Sequence, residues 1–213
     1  MKSIVEYIKE ARSKWYGPSE HIPYSKDYTE PEKAILEYVL GFTTAVNKVL
    51  RDGKYGDEIK DKMDWCIDNM DKGFNDTCKP GTTLYRTVSW DMMENLYEIT
   101  KENIDKHIGD VLIDKGYMST TNELQSPWGK SWNDWELVLV LTNDKPIPCF
   151  DVNKNIDKKD IDCEEQKEIL LPRDTECRID SYEVRKNEKG KKGKYDKNGT
   201  YFIYCTITKC NVK

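Results

Sequence analysis

The spacing of apolar residues differs between the two halves of the chain. In the first half they recur at helical spacing over 4–15, 30–50 and 57–70, which predicts amphipathic helices. The second helix is expected to begin at Thr29, a capping residue that is followed by proline and acidic residues in the first turn. Gly41 interrupts this second segment and is expected to divide it into two helices.

Short apolar runs predict a second half that is rich in strands and contains one helix. The predicted strands are 82–88, 111–118, 136–141, 147–152, 167–171, 177–184 and 201–209, the predicted helix is 91–106, and a Lys- and Gly-rich hairpin loop is predicted at 187–198. The run at 136–141 is almost continuously apolar, which indicates a central strand covered on both faces. Helices followed by packed strands predict one α+β domain.

Composition argues against several classes of protein. The 213 residues carry a net charge of -5, which argues against a broad nucleic-acid surface, and 11% are aromatic, as expected of a folded chain. Seven cysteines without a CxxC pair and only two histidines argue against a metal site and predict reduced thiols in a cytoplasmic protein. No apolar run reaches membrane-spanning length, and the N-terminus lacks a signal-peptide pattern.

The segment 164–175 carries the most informative chemistry. It places carboxylates and an amide directly ahead of an apolar run that ends in Pro-Arg. Because side chains alternate along a strand, Gln166 and Glu168 are expected to share one face, with Ile169 and Leu171 facing a core on the other. The segment therefore predicts one amide and one carboxylate side by side at a surface.

Two other motifs precede this segment in a fixed order. Arg86 follows an aromatic residue on a predicted strand, and Ser119 belongs to a Gly-aromatic-x-Ser-Thr-Thr element at 116–121. The ordered set resembles the Arg/Ser-Thr-Ser/Glu-x-Glu class of mono-ADP-ribosyltransferases, which includes clostridial exoenzymes, binary toxins and phage-encoded transferases. The resemblance implies N-terminal helices packed on a two-sheet core of mixed and antiparallel strands, with 1–28 as a helical extension and 29–210 as the catalytic core.

The resemblance also implies a reaction, the cleavage of the bond between nicotinamide and ribose in NAD. An oxocarbenium-like ribose cation develops, and a carboxylate placed beside it lowers the barrier. By resemblance, Glu168 holds the ribose 2′-hydroxyl and stabilises this cation, while Ser119 hydrogen-bonds Glu168 and lines the NAD site. Arg86 would bind an NAD phosphate bidentately, and backbone groups of Thr87 would grip the nicotinamide amide.

Further contacts with NAD are expected from a helix and from a loop. Asn47 and Arg51 lie four residues apart on one helix face and are expected to reach the other phosphate, although a solvated helix face fits the same spacing. The family has a phosphate–nicotinamide loop between the second and third motifs, where this chain offers Lys130 and no arginine. Trp128 or Trp132 would stack on the substrate there, and either also fits a place in the core.

The residue two positions before Glu168 bears on the acceptor. Members of the family that modify arginine have Glu there, whereas members with Gln modify asparagine or other acceptors. Gln166 therefore disfavours arginine as the acceptor, although Glu164 and Glu165 lie close enough to substitute if the loop is bulged. The asparagine-specific enzymes carry an exposed aromatic residue three positions before Gln, where this chain has Cys163.

The sequence thus predicts a mono-ADP-ribosyltransferase that moves ADP-ribose from NAD to a macromolecular acceptor. The expected acceptor is a host protein, with arginine and nucleic acid disfavoured, and NAD is the substrate with no metal required. The protein is expected to be a cytoplasmic monomer without membrane association, made by a phage or virus or delivered as a toxin or effector. Two alternatives remain open, an NAD glycohydrolase and a non-catalytic binding module on the same fold.

Overall fold

The computed structural model describes residues 24–53, 60–124, 135–161, 167–186 and 199–212. The helix predicted at 4–15 and the loop predicted at 187–198 lie outside these ranges. The division into an extension over 1–28 and a core over 29–210 therefore remains a prediction.

Helices form the first part of the described chain. They are α1 (Glu30–Glu37), a π-helical turn (Tyr38–Phe42), α2 (Thr43–Asp52) and α3 (Lys60–Met70). The start of α1 is fixed by a capping box, in which the Thr29 hydroxyl accepts the Glu32 N–H and the Glu32 carboxylate accepts the Thr29 N–H. Gly41 has non-helical backbone angles inside the π-helical turn, so the predicted division at this residue is confirmed.

Strands dominate the remainder of the chain. They are β1 (Asp76–Cys78), β2 (Thr83–Val88), β3 (Val111–Asp114), β4 (Met118–Thr121), β5 (Leu137–Asn143), β6 (Ile147–Asp151), β7 (Glu168–Leu171), β8 (Thr175–Arg185) and β9 (Thr200–Lys209). Between them lie α4 (Trp90–Tyr97), a 3₁₀ turn (Ile104–His107) and the short helix α5 (Val152–Asn155).

The nine described strands are linked in one order, β1-β6-β7-β4-β2-β5-β9-β8-β3. We call β1-β6-β7-β4 the first sheet and β2-β5-β9-β8-β3 the second sheet. They are joined through the single described residue pair Tyr85 and Thr121. β5 pairs with β9 in parallel and with β2 antiparallel, so the second sheet is mixed, and the predicted central position of β5 is confirmed.

Three hydrophobic clusters fill the space around these sheets. The largest takes side chains from both sheets, for example Leu171 from the first and Leu139 from the second. A second cluster packs α1, α2 and α3 against the first sheet and includes Leu170. A small third cluster lies on the other face of β5, around Val138 and Val140. The α+β class and the helix-on-sheet arrangement expected from the sequence are therefore confirmed.

The helix predicted over 91–106 is shorter than expected. Its regular part ends at Tyr97, and Glu98 takes a left-handed conformation with φ 58°. Asn103 stabilises the turn that follows, because its side-chain oxygen accepts the Thr100 N–H and its amide donates to the Glu98 carbonyl. These local hydrogen bonds compete with continuation of the helix.

The strand predicted over 111–118 is two strands in different sheets. β3 pairs with β8 in the second sheet, while β4 pairs with β7 in the first. Between them the Gly116 N–H turns back to the Asp114 carboxylate at 2.9 Å, and the Tyr117 N–H is taken by Asn47. An apolar pattern cannot show this crossing, because residues alternate in burial along both β3 and β4 and the pattern does not record which strand each one pairs with. The short strand β1 was not predicted from the sequence.

Arg173, which follows the apolar run of β7, ties the first sheet to the helices. Its Nε and Nη2 donate to the Asp71 carboxylate at 2.6–3.1 Å, next to the end of α3. The same carboxylate accepts the Tyr117 hydroxyl at 2.7 Å. The arginine of the Pro-Arg sequence after β7 therefore forms an ion pair that stabilises the fold.

We expect Arg173→Met to lower the free energy of unfolding by about 2 kcal/mol, because it leaves the buried Asp71 carboxylate without its cation. The cost is below that of a fully buried pair because the Arg173 side chain is 23% exposed. Arg178→Met is the matched control, since its ion pair with Asp180 is largely exposed. Urea denaturation measures both, and equal losses would contradict the assignment.

Candidate active site

The carboxylate singled out by the sequence lies at the start of β7. Glu168 is paired with Thr121 across the β4–β7 ladder, so it shares a face with Thr121 and with Ser119, its diagonal neighbour. Ile169 and Leu171 point to the other face, into the large core, as predicted. The Glu168 N–H donates to the Asn153 side chain at 3.1 Å.

The alternation of side chains along β7 begins at Glu168 and does not include the residues before it. Lys167 has φ 43°, a left-handed conformation, and its ammonium pairs with the Glu123 carboxylate. The alternation used to place Gln166 beside Glu168 therefore stops at Lys167. Gln166 itself lies outside the described residues, as do Trp128 and Lys130.

Glu168 is a buried acid. The residue is 8% exposed, and burial raises the pKa of its carboxyl above the ordinary value. A hydrogen bond with the Ser119 side chain and the positive charge of Arg86 oppose this shift in pKa without cancelling it. The predicted trio of Arg86, Ser119 and Glu168 is thus brought together in space.

Tyr38 was not predicted from the sequence, and it lies at the centre of this region. Its hydroxyl accepts a hydrogen bond from Asn47 at 3.0 Å, lies 3.3 Å from the Tyr117 carbonyl oxygen and also interacts with Ser119. The side chain is fully buried, which raises the pKa of its phenol. It belongs to the π-helical turn, a type of irregularity that often occurs at functional sites.

Asn47 is engaged with the backbone of the segment that leads to β4. Its side-chain oxygen accepts the Tyr117 N–H at 2.9 Å, and its amide donates to the Tyr117 carbonyl at 3.1 Å. Gly116 allows this approach, because a Cβ there would lie 2.6 Å from the Asn47 oxygen. The predicted phosphate contact of Asn47 would require these bonds to be exchanged.

Two arginines share one buried carboxylate next to this segment. Asp114 accepts hydrogen bonds from Arg51 Nε at 3.0 Å and from Arg51 Nη2 at 2.9 Å. Arg86 Nη2 lies 3.3 Å from Asp114 Oδ2, the oxygen that also accepts the bond from Arg51 Nη2. The cluster contains two cations and one anion, so it keeps an excess of positive charge that suits a phosphate. Sequence reasoning missed Asp114, although an acid two positions before Gly116 was visible.

Arg86 keeps unused capacity for hydrogen bonding. Its Nη1 is buried and has no partner among the described residues. A buried, unsatisfied guanidinium nitrogen is costly and favours the binding of an anion. Thr87 follows on β2, is exposed, and pairs with Val138. No group of metal-binding side chains is found in the part of the chain that the structure describes.

Solved ADP-ribosyltransferase toxins have a similar fold. The fold is similar to that of Plx2a, an ADP-ribosyltransferase toxin from Paenibacillus larvae, with a TM-score of 0.64 and 20% identity over 96% of this chain and 94% of that one. It is also similar to C3stau2 from S. aureus, solved with NAD, with a TM-score of 0.65 and 16% identity over 98% and 97%. The Clostridium limosum C3 exoenzyme has a TM-score of 0.63 and 15% identity, with 95% of each chain covered.

Residues 9–201 match the sequence model of the ADP-ribosyltransferase exoenzyme family, and the chain therefore belongs to that family. No curated protein sequence matches it significantly. The protein is accordingly a mono-ADP-ribosyltransferase that uses NAD as its substrate. Among the described residues, no helix has both the length and the apolar character needed to cross a membrane.

We expect Glu168→Gln to be more stable than the wild type at about pH 8 and equally stable near pH 4, because ionising a buried acid costs free energy. Below the ordinary value of 4.5 the acid is neutral in both the folded and the unfolded state, so no cost arises. As pH rises between the ordinary and the raised pKa, the folded wild type loses stability relative to the variant.

Thermal unfolding across this pH range measures the difference. Glu94→Gln, which alters an exposed acid on α4, is the control and should show no such trend. A Glu168→Gln protein that is less stable than the wild type at high pH would contradict the pKa direction.

Proposed function

We propose that the protein transfers ADP-ribose from NAD to a host protein, at a residue other than arginine, with Glu168 as the catalytic carboxylate. The observation that carries the proposal is the buried Glu168 carboxylate, which lies beside Ser119 across the β4–β7 ladder and interacts with the positive charge of Arg86. A negative charge and an excess of positive charge therefore lie close together, as a dinucleotide with a reacting ribose requires.

The chemistry follows from the charge that develops in the reaction. The bond between ribose C1′ and the nicotinamide nitrogen breaks, its electron pair leaves with nicotinamide, and the ribose becomes cationic. Glu168 stabilises that cation and holds the 2′-hydroxyl, and because the carboxylate is fixed in advance no reorganisation is needed. Ser119 fixes the orientation of the carboxylate. The acceptor then forms a bond to C1′ and loses its proton to solvent.

The remaining contacts would orient the rest of NAD. The unpartnered Nη1 of Arg86 supports its assignment to a phosphate. Arg51 and Asn47 would support the same region, and backbone groups of Thr87 would bind the nicotinamide amide. Lys130 would take the place of the family's loop arginine, and Trp128 or Trp132 would stack on the substrate.

The acceptor proposal rests on the amide of Gln166. A carboxamide pairs with another carboxamide through one donor and one acceptor each way, but it does not neutralise a guanidinium. This favours an amide-bearing side chain of a protein over arginine. The aromatic residue that accompanies Gln in asparagine-specific relatives is replaced by Cys163, so no particular host protein is named.

We expect Glu168→Gln to lower kcat for nicotinamide release by a few hundred-fold or more, because a preorganised charge of this kind contributes about 3–4 kcal/mol to the transition state. The affinity for NAD should change little, since the amide keeps the shape of the carboxyl. Steady-state kinetics and calorimetry with NAD measure the two quantities. Glu94→Gln should retain full activity, and a fully active Glu168→Gln protein would overturn the assignment.

We expect Gln166→Glu to change acceptor choice more than NAD cleavage, because a carboxylate can bind and help deprotonate a guanidinium. Labelling of agmatine, a small guanidinium acceptor, should rise relative to nicotinamide release. An unchanged ratio of agmatine labelling to nicotinamide release would show that Gln166 does not determine the choice of acceptor.

The acceptor itself is found by incubating the protein with labelled NAD and host-cell lysate, followed by mass spectrometry of the labelled species. Labelled protein side chains support transfer to protein. Free ADP-ribose released at the same rate with and without lysate would instead identify an NAD glycohydrolase. Absence of both nicotinamide release and NAD binding would identify a non-catalytic module.

A further inference from the structure

We propose that Asp114 is a positioning residue for NAD binding, which holds Arg51 and Arg86 on one carboxylate and so presents Arg86 to a phosphate of the substrate. The inference rests on the proposed function, in which Arg86 binds that phosphate. In this proposal Asp114 acts through Arg86 and does not itself bind NAD.

The geometry of Asp114 is that of a shared anchor. Its side chain is 2% exposed, and its Oδ1 accepts both Arg51 Nε at 3.0 Å and the Gly116 N–H at 2.9 Å. Its Oδ2 accepts Arg51 Nη2 at 2.9 Å and lies 3.3 Å from Arg86 Nη2. Arg51 lies on α2, Arg86 on β2 and Asp114 at the end of β3, so one carboxylate joins a helix and two strands.

The two arginines use this anchor differently. Arg51 donates to both oxygens of Asp114, from Nε and from Nη2, and this bidentate geometry fixes the carboxylate. Arg86 reaches it through one longer contact and keeps a buried Nη1 without a partner in the described part of the chain. Arg86 therefore has the donor available for a ligand, and Arg51 acts mainly by fixing Asp114.

The charges require the anchor to be present. The two guanidinium groups approach the same Oδ2 atom, so each lies in the field of the other. Without the carboxylate they would repel one another in a site where water screens little, and Arg86 would leave its position. With the carboxylate in place the cluster keeps one positive charge in excess, which remains available to a phosphate.

The test compares Asp114→Asn with the wild type, each with Arg86 intact and with Arg86→Ala. Asparagine keeps the shape and one acceptor for the Gly116 N–H but removes the charge. We expect Asp114→Asn to raise KM for NAD about tenfold while kcat for nicotinamide release stays within about threefold, the scale of one charge-assisted hydrogen bond. In the Arg86→Ala background, Asp114→Asn should raise KM no further, because its effect passes through Arg86.

The outcomes separate the inference from the proposed function. If Arg86→Ala leaves KM unchanged, Arg86 does not bind the phosphate, and both that contact and the inference are overturned, while Glu168→Gln tests the proposed function separately. If Arg86→Ala raises KM but Asp114→Asn does not, the phosphate contact stands and the inference is overturned. An equal effect of Asp114→Asn in both backgrounds also overturns it, since that pattern indicates a general structural role.

Two further variants keep the test sound. Circular dichroism and thermal unfolding verify that Asp114→Asn folds, and Asp114→Glu replaces it if it does not. Glutamate keeps the charge but moves the carboxylate, so KM should rise less than tenfold, and again only when Arg86 is present. Asp144→Asn, at an exposed turn between β5 and β6, is the control and should leave both constants unchanged.

Discussion

The hydrogen bonds between the Asn47 carboxamide and the backbone of Tyr117 hold the structure together at the point where the chain crosses from one sheet to the other. The Asn47 oxygen accepts the N–H of Tyr117 and the amide donates to its carbonyl, so both backbone groups of this buried residue have a partner. Gly116 lets the carboxamide approach, and Asp71 holds the Tyr117 ring at its hydroxyl. Asp114 and Ser119 therefore lie on either side of this crossing.

Two charged regions lie on either side of the crossing, at a short distance from each other. Asp114 precedes it and gathers the arginines, whereas Ser119 follows it and bonds Glu168. A dinucleotide that loses nicotinamide needs cations for its phosphates and an anion for its ribose. Under the proposed function the two regions would provide them on either side of one short segment. Arg86 influences both, since it contacts Asp114 and its charge lowers the pKa of Glu168.

The site is built at a cost in stability. Glu168 is buried and its pKa is raised, so the ionised form that the proposed reaction needs is the form that the fold disfavours. Arg86 Nη1 lacks a partner among the described residues, which is a second unfavourable feature. Features of this kind are expected where substrate, and not the protein, provides the missing partner.

The sequence by itself determined the α+β class, the break at Gly41, the central strand β5 and the order of the motifs that contain Arg86 and Glu168. Each of these depends on residues close together in the chain, where periodicity and turn chemistry act directly. Only the tertiary structure decided that the strand predicted over 111–118 splits between the first and the second sheet, and that Tyr38 lies beside Ser119 and Asp114 beside Arg86. These features depend on contacts between residues far apart in sequence, such as the pair of Asn47 and Tyr117, which are 70 residues apart. A local sequence pattern indicates which residues are buried and whether they form a helix or a strand. It does not indicate which distant polar group forms the hydrogen bond that a buried polar group needs.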